Sequence, residues 1–184
     1  GEHNVIITID GTTGIPNAEG VIEFGELNWN NGQAEVTISK NTNDNLKIKY
    51  KVLDKDLNVI KDYQEIASGE KITGLNVGDI VKASLWDGIN YGISTSLTVT
   101  DTTAPVISSF TVNTTGYATS KTLTVTATDN GGSGIKGYYI GTSSTQPATS
   151  SFGTSNTKTV TANGTYYAWV LDNVGNVSSR QTLT

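Results

Sequence analysis

Apolar residues recur at every second position along much of the chain, which is the period of a strand with one buried face. In residues 46–52 the apolar side chains alternate with lysines, and in Ala34–Ile38 they alternate with Glu35 and Thr37. The polar positions of the first segment are Lys47, Lys49 and Lys51. Apolar residues do not recur at the i, i+3, i+4, i+7 spacing of a helix over any long window. The sequence therefore predicts an all-β fold.

Turn-forming residues separate the predicted strands at short intervals. Asn31-Gly32 and Asn163-Gly164 are dipeptides that favour tight turns in which both central residues have positive φ. Further glycines interrupt the alternation in the middle of each half of the chain. Many short strands divided in this way are typical of a sandwich or a barrel.

One sequence phrase occurs twice, 85 residues apart: ASLWDGIN begins at Ala83 and AWVLDNVGN begins at Ala168. In both copies apolar residues lead into an Asp and an Asn/Gly turn, and a strand rich in Thr and Ser follows. We interpret each phrase as the last hairpin of a separate sandwich. The residues predicted to face inward are Val81, Ala83 and Leu85 in the first copy and Tyr166, Ala168 and Val170 in the second.

The segment TVTDTTAPVISS, residues 98–109, separates the two copies. A Thr-rich strand ends there, and Pro105 cannot continue the ladder of that strand because it has no backbone N–H. We therefore predict two domains, residues 1–100 and 101–184. Val5–Ile9 is interpreted either as an extra strand at the start of the first domain or as the tail of a preceding unit.

Composition and charge exclude several classes of function. Cysteine is absent, which excludes disulfides and thiolate chemistry. The net charge is −5 and the lysines are scattered, so we predict no nucleic-acid partner. No apolar run is long enough to predict membrane insertion. The single histidine, His3, lies near a chain end, and no nucleophile or metalloprotease motif occurs, so the chain is predicted not to be an enzyme.

Several phrases resemble the immunoglobulin-like repeats of bacterial cell-surface proteins, especially those of Gram-positive species. They are LNWNNGQAEVTISK, ITGLNVGDIVKASLWDGINYG, DTTAPVIS, TATDNGGSGIKGYYI and GTYYAWVLDNVGNVS. The resemblance implies two tandem immunoglobulin-like β-sandwich domains in an extracellular protein, whose signal and anchor lie outside this segment. It implies a spacer, stalk or adhesin segment without catalytic residues or a required cofactor. An accessory domain of a secreted glycosidase is the related alternative.

The resemblance also raises the question of a Lys–Asn isopeptide cross-link, which some Gram-positive surface domains form beside a buried acid. Such a link needs a lysine that faces the core. Lys121 shares the parity of Leu123 and Val125 and is the one candidate. The alternative is that Lys121 extends into solvent, as lysines at strand ends usually do.

Acidic residues in the second half suggest a cation site. In an immunoglobulin-like sandwich, the B–C and F–G loops lie at the end where the first strand enters. Asp129, Asp172 and Asn176 fall in or beside those loops, and Asp101 enters at the same end. Because carboxylate and carbonyl oxygens bind calcium, these four residues are candidate ligands of an interdomain calcium ion. The alternative is that they only form turns, since Asp and Asn side chains accept hydrogen bonds from nearby amides.

A second calcium pattern lies in the first half. DKDLNVIKDYQE, residues 54–65, has acidic or amide side chains at several ligand positions of an EF-hand loop. The sixth position should be Gly and is Val59, whose branched side chain resists positive φ. We therefore favour a hairpin with Lys55–Asn58 at its tip.

Aromatic residues in the second half suggest a ligand surface. If the second copy of the repeated phrase faces inward as predicted, Tyr167, Trp169 and Leu171 point outward, and Tyr139 extends the strip from a neighbouring strand. Flat rings on an exposed sheet suit sugar rings, so a carbohydrate or a host surface protein is a candidate partner. The alternative is that neighbouring segments cover the strip, as they usually cover large apolar patches.

Overall fold

The structure is a computed structural model that describes residues 14–184. The predicted strand Val5–Ile9 and His3 lie outside the described residues. The described part of the chain contains strands and one short 3₁₀ turn, Thr149–Ser151, and no α-helix. The predicted all-β fold is therefore confirmed. Within the same residues, no helix has the length and apolar character needed to cross a membrane.

The chain divides into two compact units. The first contains Glu35–Val99 and the described residues up to Leu27, and the second contains Thr100–Thr184 and the short segment Asn28–Ala34. The division after Val99 lies one residue before the predicted boundary. No sequence pattern predicts the assignment of Asn28–Ala34 to the second unit.

The described residues of the first unit, together with the segment Asn28–Ala34, form seven strands in two antiparallel sheets. They are β1 (Ile22–Asn30), β2 (Gln33–Lys40), β3 (Lys47–Leu53), β4 (Val59–Ile66), β5 (Glu70–Leu75), β6 (Ile80–Trp86) and β7 (Thr95–Thr98). One sheet has the order β1-β2-β5 and the other the order β4-β3-β6-β7. In β3 the predicted alternation is confirmed, because Ile48, Tyr50 and Val52 are buried and the lysines between them are not.

The second unit contains six strands, also in two antiparallel sheets. They are β8 (Val106–Val112), β9 (Lys121–Thr128), β10 (Ile135–Gly141), β11 (Thr157–Val160), β12 (Tyr166–Asp172) and β13 (Gln181–Leu183). The sheets have the orders β8-β9-β11 and β10-β12-β13. Leu123 and Val125 of the first sheet share one core with Ala168 and Val170 of the second. The unit is therefore a two-layer sandwich.

The two units have related topologies, which explains the repeated phrase. If β4 is left out, the strand order of the first unit becomes that of the second. The phrases occupy β6 and β12, and these strands pair with the final strands β7 and β13 as predicted. The six residues predicted to face inward from the two strands are all buried.

The two Asn-Gly dipeptides have different conformations. Asn31 and Gly32 have φ values of 51° and 78° and join β1 to β2 in a tight hairpin, as their sequence predicts. The corresponding prediction for Asn163-Gly164 is wrong. That pair links β11 to β12, which belong to different sheets, and Asn163 keeps a negative φ.

Candidate metal centre

Three aspartates of the second unit meet at one end of its sandwich. Asp101 precedes β8, Asp129 follows β9 and Asp172 ends β12. One carboxylate oxygen of each lies within 4.8 Å of the others. The sequence of this unit contains no other Asp or Glu, so all its acidic side chains converge on one site. We call these three residues the aspartate cluster.

Asp172 is fully buried and organises the turn after β12. Its Oδ1 accepts hydrogen bonds from the backbone N–H groups of Val174, Gly175 and Asn176, at 2.9, 2.6 and 2.7 Å. Its Oδ2 accepts a bond of 2.7 Å from Nδ2 of Asn176. Four donors aimed at one buried carboxylate stabilise its charge and fix its position.

Asp101 connects the start of the unit to the loop after β9. Its Oδ1 accepts a hydrogen bond from the N–H of Thr103 at 2.8 Å, within its own turn. Its Oδ2 accepts one from the N–H of Ser133 at 2.6 Å. The side chain is buried. Asp101 therefore holds the glycine-rich loop against the chain that enters β8.

Asp129 is the least satisfied member of the aspartate cluster. Its Oδ2 accepts a hydrogen bond from the N–H of Gly134 at 2.7 Å. Its Oδ1 is buried and finds no hydrogen-bond donor in the part of the chain that the structure describes. A side chain at Gly132 would collide with this carboxylate, so the loop requires glycine there. A buried acceptor without a donor is costly, and a cation would satisfy it.

The pKa of Asp129 is raised above its ordinary value, chiefly because burial disfavours the charged carboxylate. The hydrogen bond from Gly134 opposes this effect, and the nearby charges of Asp101 and Asp172 add to it. Three carboxylates so close together repel one another unless a proton or a cation intervenes.

Asn176 lies beside the cluster with its amide nitrogen toward it. Besides its bond to Asp172, Nδ2 lies 3.3 Å from the carbonyl oxygen of Asp101 and 3.4 Å from that of Thr103. In this orientation Asn176 is a donor that braces the site, whereas the sequence predicts a ligand. Sequence reasoning did not find Ser133, whose buried hydroxyl has no partner among residues 14–184. The signal for it is the GGSG run that follows Asp129 and Asn130.

The aspartate cluster is the one group of acidic side chains, among the described residues, arranged to hold a metal ion.

The hairpin interpretation of residues 54–65 is confirmed. Oδ1 of Asp54 accepts the N–H groups of Asp56 and Asn58 at 2.8 and 2.9 Å, and Val59 begins β4. The carboxylate of Asp54 thus forms a turn.

Trp169 and Leu171 are not part of the core between the two sheets, but they are buried, which matches the alternative that neighbouring segments cover the strip. Trp169 is 3% exposed and Leu171 is 2% exposed. The ring of Trp169 packs between Tyr139 and Tyr167, with centroid distances of 5.9 and 6.3 Å. Phe152, from the segment before β11, packs on Tyr139. These aromatic side chains therefore cover part of this face of the sheet.

Tyr167 and Tyr139 are partly buried in the same cluster. The guanidinium of Arg180 lies over the ring of Tyr167 at 5.1 Å, and it donates a hydrogen bond to the carbonyl of Ser144. The ring of Tyr139 leans over Gly141, where a side chain would collide with it. All three rings of the predicted strip therefore contact other side chains, and each is partly or fully buried.

Lys121 does not have the surroundings that an isopeptide bond requires. It lines a cavity of about 290 Å³ together with Asn163 at the open end of the second sandwich. Lys121 is the first residue of the eight-residue strand β9, and Asp129 follows the last. The strand separates them by about 25 Å. The acidic side chains of this unit are therefore at its other end.

The raised pKa of Asp129 predicts an unusual pH dependence. In metal-free protein, the carboxyl group of Asp129 keeps its proton up to a higher pH in the folded state than in the unfolded state. This stabilisation is complete below the ordinary pKa of aspartate and is lost as pH rises through the folded pKa. We expect wild type to lose unfolding free energy relative to Asp129→Asn as pH rises from acidic to neutral values. The measurement is urea unfolding of both proteins across that range.

Asp87 provides a control of opposite sign. It occupies the position in the first copy of the repeated phrase that Asp172 has in the second copy. The N–H groups of Asn90 and Ile89 lower the pKa of Asp87. The stabilisation from Asp87 is present above the ordinary pKa and lost as pH falls through the folded pKa. Equal pH profiles for Asp129→Asn and Asp87→Asn would contradict this account.

Comparison with protein-family models gives no match, and comparison with curated proteins gives none either.

Proposed function

We propose that this chain is a non-enzymatic spacer or stalk segment of an exported bacterial surface protein, made of two immunoglobulin-like sandwiches. Strand order supports the fold. The sheet orders β8-β9-β11 and β10-β12-β13 match strands A-B-E and C-F-G of that fold, without its strand D, and β4 of the first unit corresponds to strand C′ beside C. A sandwich with alternating buried residues and short turns is a self-contained structural element, which suits a spacer.

The second unit is proposed to bind calcium at the aspartate cluster. The observation that carries this proposal is the buried Oδ1 of Asp129, which has no hydrogen-bond partner among residues 14–184 and lies beside two further carboxylates. Carboxylate oxygens are the ligands of hard cations, and calcium accepts the irregular geometry that loops provide. A bound cation would remove the repulsion between the carboxylates.

Calcium would act by fixing three separate parts of the chain at one point. Asp101 lies before the first strand of the unit, Asp129 after the second and Asp172 at the end of the fifth. Their sequence separation means that unfolding of the unit must disperse the ligands. Ions that bind the folded state and not the unfolded state stabilise the folded state. Such stabilisation of the folded state suits a surface segment that must stay folded under mechanical force.

Calcium is expected to raise the stability of the second unit. If the dissociation constant lies in the range of extracellular modules, about 10⁻⁴–10⁻³ M, then about 10 mM calcium adds roughly 1.5–3 kcal/mol. For a domain of this size, each kcal/mol raises the melting temperature by about 4–8 °C. The measurement is calorimetry of the whole chain with calcium, with magnesium and with a chelator.

Asp129→Asn should abolish the calcium shift, because it removes one charge and one anionic ligand while keeping the shape of the side chain. Asp87→Asn, in the first unit at the position that matches Asp172, should leave the shift unchanged. A melting temperature that ignores calcium in wild type, or an equal shift in Asp129→Asn, would overturn the metal site.

A further inference from the structure

The outer face of the sheet β4-β3-β6-β7 carries a row of lysines. In β3, Lys47, Lys49 and Lys51 lie on the face opposite the buried residues. The register pairs Lys51 with Lys82 of β6, which adds a fourth lysine to that face. The same register pairs Lys47 with Trp86. Half of the eight lysines in residues 1–99 therefore lie on one surface of a segment that contains 14 acidic residues.

Aromatic rings hold two of these lysines in place. Nζ of Lys49 lies 4.3 Å from the ring centroid of Trp86, and Nζ of Lys51 lies 5.0 Å from that of Tyr63. Tyr91 packs on Tyr63 with a centroid distance of 4.6 Å. Cation–π contacts of this kind restrict a flexible lysine and keep its charge at the surface.

We call this surface the lysine–aromatic face, and it consists of Lys47, Lys49, Lys51, Lys82, Tyr63, Trp86 and Tyr91. One carboxylate, that of Glu65, contacts its lysines, at 2.7 Å from Lys47 and 3.7 Å from Lys49. Ion pairs to the other two lysines of the face do not occur among the described residues. The face thus has a surplus of positive charge on a unit that is otherwise acidic.

We propose that the lysine–aromatic face binds an acidic polysaccharide, a glycan chain that carries carboxylate or sulfate groups. Charge complementarity carries the proposal. Alternate lysines of β3 follow one another at about 7 Å along the strand, so an extended chain laid along it meets successive ammonium groups. Tyr91 is 41% exposed and offers apolar ring surface and a hydroxyl group to a sugar.

A nucleic acid fits this face less well. Single-stranded nucleic acids gain affinity by stacking bases on free aromatic rings. Here Lys49 lies over Trp86 and Lys51 lies over Tyr63, so Tyr91 is the one exposed ring of the face, and successive bases would find no second ring to stack on. Residues 1–99 also carry a net charge of −6, which opposes the dense phosphate charge of a duplex. A glycan with more widely spaced charges meets less of this repulsion.

The test uses the whole chain and three probes, chondroitin sulfate for sulfate, polygalacturonate for carboxylate and oligo(dT) for nucleic acid, with neutral dextran as the blank. Wild type should bind at least one of the two acidic glycans, more tightly than oligo(dT), and weaken between roughly 50 and 200 mM salt. The double variant Lys49→Gln/Lys51→Gln should bind at least about tenfold more weakly, because it removes the two positioned charges.

The matched control is Lys55→Gln/Lys71→Gln, which has the same change in charge. Lys55, at the tip of the β3–β4 hairpin, pairs with Asp56, and Lys71, in β5, pairs with Glu35 of β2. Neither lysine belongs to the lysine–aromatic face. The control variant should bind like wild type. If the first variant unfolds, as judged by circular dichroism, Lys82→Gln replaces it and should weaken binding severalfold. Equal losses in test and control variants, no glycan binding, or tighter binding to oligo(dT) would each overturn the proposal.

Discussion

Asp172→Ala should lower the unfolding free energy of the second unit by roughly 3–5 kcal/mol, because it removes a fully buried carboxylate and leaves its four hydrogen-bond donors without their acceptor. Three backbone N–H groups and the amide of Asn176 converge on this carboxylate, which is fully buried. Alanine supplies no oxygen to any of them. The measurement is urea unfolding of the whole chain in the presence of a chelator, so that metal binding does not contribute.

Two controls separate this effect from loss of metal ligation. Asp172→Asn keeps an oxygen in the position of Oδ1 and should cost much less stability in the chelator, although it removes an anionic ligand. Asp87→Ala removes the matching turn residue of the first unit, where the side chain is exposed and accepts two N–H groups. It should cost less than Asp172→Ala. Comparable losses in Asp172→Asn and Asp172→Ala would refute the role of the converging donors.

Trp169→Ala should destabilise the second unit by about 3–5 kcal/mol, the usual cost of removing a buried large aromatic side chain. Trp169 is 3% exposed and lies between Tyr139 and Tyr167, so alanine leaves a cavity in the aromatic cluster. Thermal and urea unfolding of the variant measure the loss. Tyr117→Ala, in the same unit, is the control because the side chain of Tyr117 is fully exposed. A variant at Trp169 as stable as the one at Tyr117 would show that the cluster is not packed.

The strands and their inward faces could be predicted because they depend on local alternation. Val81, Ala83 and Leu85 share a parity, and that parity alone assigns them to one face of β6. The sequence does not reveal whether the opposite face is open. Trp169 has the parity of an outward residue, but Phe152 and Arg180 arrive from other segments to close that side of the sheet. Coverage of a face is a non-local property, and a strand pattern does not encode it.

The positions of the three aspartates could be predicted because loops at one end of a sandwich converge whatever their sequence. Their individual surroundings could not. The difference between Asp172, which accepts four donors, and Asp129, which keeps one oxygen unpaired, depends on turn geometry at the scale of single hydrogen bonds. The orientation of the Asn176 amide depends on the same details.

The lysine–aromatic face was missed for a related reason. The lysines of β3 are evident from their alternation, and Trp86 lies outward on the same pattern. Their proximity depends on the register between β3 and β6, which are separated by two strands in the sequence. Tyr63 and Tyr91 join them from β4 and from the loop after β6. A correct pairing of the strands would have been enough to bring the charges and the rings together.

The confinement of every acidic side chain of the second unit to one site has a practical consequence. Reagents that couple amines to carboxyl groups find their side-chain targets in this unit at a single location. Asp101 and Asp172 are buried in the folded unit, so a reagent reaches all three carboxyl groups only when the unit opens. Peptide masses after such labelling therefore report the unfolding of the second unit by itself in the intact protein, and a cation that stabilises the unit should slow the labelling.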